Sequence, residues 1–337
     1  MCETGAAVSL KKHRSISGLA LVIVLATAVF CAVWLNHGPR YQGKSARHWV
    51  GQLVRNETAA RRALLELGPA AVPALADAVS ARQSWLEKKL GSFRPRLPRW
   101  IARRLLSPFE ASVRQERALK VLDELGPSAA PAIPALLDLD CRVSDDLYSN
   151  SVFAQRVILS IGEAGLPQLI QVLRRGTEPA IRVKAAMYLG LIGARAAPAS
   201  GALAKALHDA SPAVRKEAVS ALGQIGPPAA DALPALRSAL ALDNDDFRLQ
   251  VVEALWDIGG DVELTVPVLV KVLRDPHHPS RARAATILAR MGPAAKAAAP
   301  ALTAVTQEQF SYTRVKAEEA LTQIVGRPAA PRTDKLE

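Results

Sequence analysis

Cysteine, aromatic residues and recognisable catalytic motifs are what this sequence has least of. Its 337 residues include three cysteines. Cys2 and Cys31 fall in or before a long apolar run, which leaves Cys141 alone in the body. One cysteine builds neither a disulfide framework nor a zinc site. Aromatics make up 4% of a chain that is 50% hydrophobic, so Ala, Leu and Val carry the apolar content. That composition suits helices packed closely through small side chains and suits a sheet sandwich poorly. No GxSxG, HExxH, CxxC, phosphate-loop or GxGxxG pattern stands in a credible context. Catalytic, cofactor-binding and metal-binding residues are therefore expected to be absent, and the chain reads as non-enzymatic. His277 and His278, within DPHHPS, have no third ligand in view, and Asp-Pro and His-Pro are turn formers.

The formal net charge of +12 hints at nucleic acid or anionic lipid, but its placement changes that reading. Residues 82–109 carry +7 and the first 14 residues +2, which leaves +3 for the other 295. The body is nearly neutral and offers no continuous phosphate track, so a nucleic-acid partner is disfavoured. The basic stretch SWLEKKLGSFRPRLPRWIARRLLSPF is the most unusual segment. Read as a helix, it sets Leu97, Ile101 and Leu105 beside Trp100, with Arg96, Arg99 and Arg103 on another face. Trp85, Lys88, Lys89, Arg96, Arg99, Trp100, Arg103 and Arg104 are candidates for contact with an anionic membrane surface. The bland alternative is a helical excursion packed on its neighbours with solvated bases. An acidic protein partner is a third reading.

From Ile16 to Leu35 the chain runs 20 residues without a charge. At about 1.5 Å per residue such a helix spans a hydrocarbon core of roughly 30 Å. A cleaved signal peptide is the rival reading. Ala26-Thr27-Ala28 has the small-x-small form, but the apolar run continues beyond it. An uncleaved single-pass anchor is expected, between a short tail (1–15) and a linker with lead helix (36–56). Lys11, Lys12 and Arg14 lie close on one side and Arg40, Lys44 and Arg47 on the other, so the charge bias is slight. A cytoplasmic N-terminus with an exported body is favoured.

The rest of the chain is periodic. Gly193, Gly226, Gly259 and Gly292 recur every 33 residues, Gly326 follows, and each is placed to end a helix in a left-handed conformation. Leu189, Leu222, Leu255, Leu288 and Leu321 keep the same interval. So do Ala185, Ala218, Val251, Ala284 and Ala317, kept small where neighbouring helices meet. A second helix repeats through Leu203, Leu236, Leu269 and Leu302, with Pro198, Pro234, Pro267 and Pro300 near its start. Gly68, Gly126 and Gly162 fill the same role earlier, at looser spacing. Residues 57–326 thus read as seven helix pairs and a terminal half repeat, interrupted by the insertion at 82–109, with a disordered tail at 327–337. No pair can bury its apolar faces without neighbours.

The segments LGPAAVPAL, SPAVRKEAVSALGQIGPPAADALPALRSAL and RARAATILARMGPAAKAAAPAL resemble HEAT repeats of the short, lyase-type variety. YQGKSARHWVGQL and the basic insertion look like those of membrane-anchored bacterial HEAT-repeat proteins of unassigned activity. The resemblance implies an all-α fold: a right-handed α-α superhelical solenoid preceded by one transmembrane helix, with second helices on its concave side. It implies a non-enzymatic, membrane-tethered scaffold for an unidentified protein partner. Lys205, His208, Arg237, Lys271 and Arg274, polar positions on second helices, are the candidate contacts. A chromophore (bilin) lyase-like or accessory protein is the enzyme-class alternative, and an anionic-membrane or nucleic-acid binder acting through the insertion is another. Arg182, Arg215, Arg248, Arg281 and Arg314 form a further row. They are expected to act as a structural ladder, each Arg paired with an acid in the turn before its own helix: Glu178, Asp209, Asp243 or Asp245, and Asp275. Arg314 has no such acid.

Overall fold

The computed structural model describes residues 39–81, 108–142, 148–242, 245–309 and 311–326. The expected anchor at 16–35, the tail at 327–337, and the eight insertion candidates from Trp85 to Arg104 all lie outside these residues. The described chain is helical apart from one two-stranded hairpin, and its contacts divide it into two units, Met1–Leu125 and Gly126–Glu337.

The first unit opens with strands β1 (Arg40–Tyr41) and β2 (Lys44–Ser45), a hairpin that the helical periodicity did not announce. It lies over Trp49, whose ring meets Tyr41 edge-on while its Nε1 donates to the Tyr41 carbonyl at 3.3 Å. Helix α1 (Ala46–Gln52), the pair α2 (Glu57–Leu67) and α3 (Val72–Ser80), and α4 (Pro108–Leu125) complete it. Arg117 on α4 donates to the carbonyls of Leu53 and Val54 and pairs with Glu57, satisfying the end of α1 and the start of α2 together. By length and composition Glu57–Ser80 passes for a membrane span. It is instead a helix pair turned back at Gly68 (φ 56°), with Leu64, Leu75 and Val79 fully buried.

The second unit contains α5 (Ile133–Asp140), then four helix pairs: α6 (Tyr148–Ile161) with α7 (Leu166–Arg175), α8 (Pro179–Ile192) with α9 (Ser200–Ala206), α10 (Pro212–Ile225) with α11 (Leu233–Ala239), and α12 (Asp245–Gly259) with α13 (Val262–Arg274). The pair α14 (Arg281–Met291) and α15 (Ala299–Thr306) and the single helix α16 (Tyr312–Val325) close it. The leucine rows point inward as the periodicity requires. Leu189, Leu222, Leu255 and Leu288 are fully buried, and so are Leu203, Leu236, Leu269 and Leu302. Each such side chain contributes roughly 2 kcal/mol of apolar burial.

Two local expectations are corrected. Gly326 has the left-handed helical conformation (φ 69°, ψ 17°), but Gly68, Gly193, Gly226 and Gly292 combine positive φ with ψ between −132° and −147°. That region belongs almost wholly to glycine. It turns the chain directly into a 3₁₀ segment, such as Gly193–Ala199 or Gly292–Ala298, rather than merely ending the helix. In the sixth repeat the positive φ falls on Gly260 (62°), not Gly259, which is the last residue of α12. Asp261 follows and accepts from the Leu264 N–H at 3.2 Å, so an α-helix starts at once in place of a 3₁₀ segment. Pro267 is thereby enclosed within α13 instead of opening it.

Candidate functional site

How closely the first helices approach tracks the bulk of one pair of side chains per interface. Gly190 on α8 lies against α10 so tightly that a Cβ there would stand 2.9 Å from the Cα of Ala221. One repeat later Gly223 lies against Ala254, where a Cβ would stand at 3.6 Å. In the same register the next pair is Trp256 and Ile287, and the last is Ala289 and Ala320. Helices α8/α10, α10/α12 and α14/α16 pack along their length, whereas α12 and α14 touch little. Small pairs admit a close ridge-to-ridge approach and a bulky pair excludes it. Helices α6 and α8, with Leu159 and Tyr188 at the same register, also touch little.

The two wide seams are filled by different polar devices. Between α6 and α8 the filling is buried. The side chain of Asp140, at the end of α5, is fully enclosed and receives Tyr188 Oη at 2.8 Å, Gln155 Nε2 at 2.7 Å and Ser151 Oγ at 3.2 Å, with Lys184 Nζ at 3.1 Å. Burial and the bond to Asp140 drive the Tyr188 phenol far above its ordinary range, so it stays a donor. Burial, aided by Asp140, pushes the Cys141 thiol up to about 11, which leaves it protonated and unreactive at neutral pH.

Between α12 and α14 the filling is an open ladder of ions. Lys216 on α10 meets Asp246 at 2.9 Å, and Arg283 meets Asp246 at 2.8 Å and Glu253 at 3.3 Å. Arg290 then bridges Glu253 and Asp257, the latter at 2.8 Å. The three acids lie on one face of α12 at i, i+7 and i+11, facing two arginines seven residues apart on α14. A groove of about 570 Å³ runs along this ladder, with Val219, Gly223 and Ala254 among its apolar lining and Ser220, Gln224, Gln250, Glu253, Asp257, Arg283 and Arg290 its polar lining. Partial burial raises the Asp257 carboxyl above its ordinary value, with Arg290 opposing the shift. Lys216 holds Asp246 below its ordinary value by a direct hydrogen bond. Among the described residues no group of three or more His, Cys, Asp or Glu is placed to hold a metal ion.

None of the second-helix candidates lines this groove. Lys205, His208, Lys271 and Arg274 are exposed, and Arg237 is paired with Asp261 at 2.9 Å. The groove belongs to first helices instead. A signal for it was present in the row that reads Gly190, Gly223, Trp256, Ala289, and in Asp257 and Arg290, opposite charges one period apart.

The arginine row is structural in geometry but differs in its partners. Arg182 makes a two-pronged pair with Asp209, 27 residues downstream, at 2.7 and 2.9 Å, and Arg281 does the same with Glu308 at the same separation. Both reach the next turn rather than their own, because the guanidinium of each also donates to backbone upstream: Gly176 O for Arg182 and Leu273 O for Arg281. Arg215 donates to the Asp209 carbonyl. Arg248 bonds the Leu240 carbonyl and pairs with Asp245, as expected, while Arg314 pairs with Glu318. Each two-pronged pair clamps successive repeats.

A family model described as HEAT repeats matches residues 166–256 and 234–322. No curated protein matches the sequence. Similar solved structures include an engineered protein (19% identity, 83% of this chain and 94% of that one, TM-score 0.39). Others are a Kap121p mutant (15% identity, 81% of this chain and 34% of that one, TM-score 0.49) and a designed armadillo repeat protein in complex with peptide (KR)4 (19% identity, 72% and 100%, TM-score 0.28). The chain spans about a third of the Kap121p chain.

Proposed function

The chain is a HEAT-repeat protein, its repeats matching that family over residues 166–322, and we propose that it is a non-enzymatic, membrane-tethered scaffold that docks a polypeptide partner in the first-helix groove. The observation that carries this is the wide seam between α12 and α14. Acids on one wall face bases on the other, the floor is small and apolar, and the pairs are part-exposed and therefore cheap to exchange, worth about 0–1 kcal/mol each. Such a groove fits a segment that presents a basic side chain to Glu253 and Asp257 and an acidic one to Arg283 and Arg290. Its balanced charge does not suit a polyanion such as nucleic acid. The tether rests on the uncharged run at 16–35, and the basic residues at 82–109 support contact with an anionic bilayer surface.

A photo-crosslinking amino acid placed in the full chain, in its own membrane, at Ser220 or Thr286 is expected to trap one protein of discrete mass. The same probe at Lys205 or Lys271 is expected to trap none, and E253R is expected to abolish the adduct. Adducts confined to the second helices, or indifferent to E253R, overturn the groove assignment. Release of the protein from membranes by alkaline carbonate would overturn the tether.

A further inference from the structure

The same seam has the anatomy of a joint. On its second-helix side the repeats share one apolar cluster, in which Leu249, Leu269, Leu273, Ile287, Leu288 and Leu302 are buried together and Trp256 packs against it. On its first-helix side α12 and α14 touch little, in the register where Trp256 and Ile287 replace the Gly and Ala of the close interfaces, and charged side chains span the gap: Arg283 and Arg290 to Asp246, Glu253 and Asp257. One side is a greasy pivot and the other a set of ion pairs. We propose that this seam is a salt-sensitive hinge, with α8–α13 moving as one block, α14–α16 as another, and the Arg–carboxylate ladder as the latch that holds the groove closed.

The physical contrast between the two sides is what gives the hinge its freedom. Apolar contacts are insensitive to moderate salt and resist separation. Ion pairs with side chains a quarter to a half exposed are screened as the Debye length falls from about 10 Å at 0.1 M to about 3 Å at 1 M. The adjoining interfaces are held by close helix contact: α10 meets α12 where Gly223 lies against Ala254, with Lys216 and Asp246 paired across it, and α14 packs on α16 along its length. Arg281 pairs with Glu308 inside the α14–α16 block and also donates to the Leu273 carbonyl near the end of α13, which ties the two blocks at the pivot. Every latch group faces a latch group: Lys216 from α10, Asp246, Glu253 and Asp257 from α12, Arg283 and Arg290 from α14, with Gln224 and Gln250 beside them in the groove. A partner offering its own charges to both walls replaces the latch pairs and holds the hinge open. That consequence rests on the docking reading above, whereas the hinge itself does not.

The test is a spin-label distance measurement on the full chain in detergent, with Cys2, Cys31 and Cys141 replaced by alanine. Labels at Ser220 and Thr286 span the seam, and labels at Leu191 and Ser220 span the close interface as a control. Raising NaCl from 0.1 to 1 M, or introducing R283Q/R290Q, is expected to lengthen and broaden the seam distance and leave the control unchanged. The W256A/I287A variant is expected to shorten the seam distance and abolish its salt response. A seam distance indifferent to salt and to R283Q/R290Q overturns the hinge, as does equal broadening at both pairs. If the seam responds and no partner crosslinks at Ser220, the docking reading fails and the hinge stands.

Discussion

Helices α8 and α10 meet through Gly190 and Ala221, and two repeats later α12 and α14 stand apart with Trp256 and Ile287 in the same register. A periodic sequence need not build a uniform stack. The leucine rows are unbroken across both places, so the second-helix core is continuous. What changes with the contact is the bulk at one ridge position per interface, small where the helices pack closely and large where they stand apart behind a ladder of ion pairs. The α6/α8 seam is a third case, equally wide but sealed by a buried carboxylate network rather than by exposed ions. A close interface can only hold repeats together. An open one can hold something else.

The largest expected effect comes from unsealing the sealed seam. Asp140→Ala removes the acceptor for Tyr188, Gln155, Ser151 and Lys184 at once and is expected to destabilise the fold by about 3 kcal/mol, read by urea unfolding. Overpacking the close interface comes next. Gly190→Leu must displace Ala221 backbone and is expected to cost about 2 kcal/mol, while Leu159→Ala, whose side chain is 47% exposed in the wide seam, is expected to cost under about 1 kcal/mol. Equal costs would break the comparison. In the open seam Arg290→Gln is expected to cost at most about 1 kcal/mol at low salt and nothing measurable at 1 M NaCl.

The smallest effect is a pH slope. Arg182 holds Asp209 below its ordinary value of 3.8. A depressed carboxylate contributes stability that is fully present above the unfolded value and is lost as pH falls through the folded one. Stability should therefore decline as pH drops from about 5 to below 3.8, and Asp209→Asn should flatten that decline. Asp257 runs the other way, because burial raises its value and ionising it in the folded state is costly. Asp257→Asn should leave stability at pH 7 unchanged or slightly higher, in contrast to Asp209→Asn.

Much of the fold was legible because helix-pair repeats write themselves as rows. Every member of the Leu and Ala rows except Leu321 is buried in α8–α16, and the glycine row located the turns to within one residue. Gly260 was missed because Gly259 and Gly260 are adjacent and only the second is followed by a cap, Asp261. The hairpin at Arg40–Ser45 escaped because two-residue strands leave no periodic trace. The groove escaped for another reason. The proposed groove lies beside the place where the sameness of a row is broken, with Trp256 among glycines and alanines. The arginine row is legible, but the acids that Arg182 and Arg281 grip lie 27 residues downstream, across a repeat boundary that sequence proximity does not reveal. The second-helix contacts rest on the concavity that the resemblance implies, and none of those residues lines the first-helix groove.

The central claim is that the bulk of one residue pair sets the spacing of the first helices, and a crystal structure of the W256A/I287A variant tests it most directly. Helices α12 and α14 are expected to close to an axial separation of about 8 Å, typical of helices packed through small residues, and the groove to disappear. An unchanged gap, with the ion ladder still spanning it, would contradict the account.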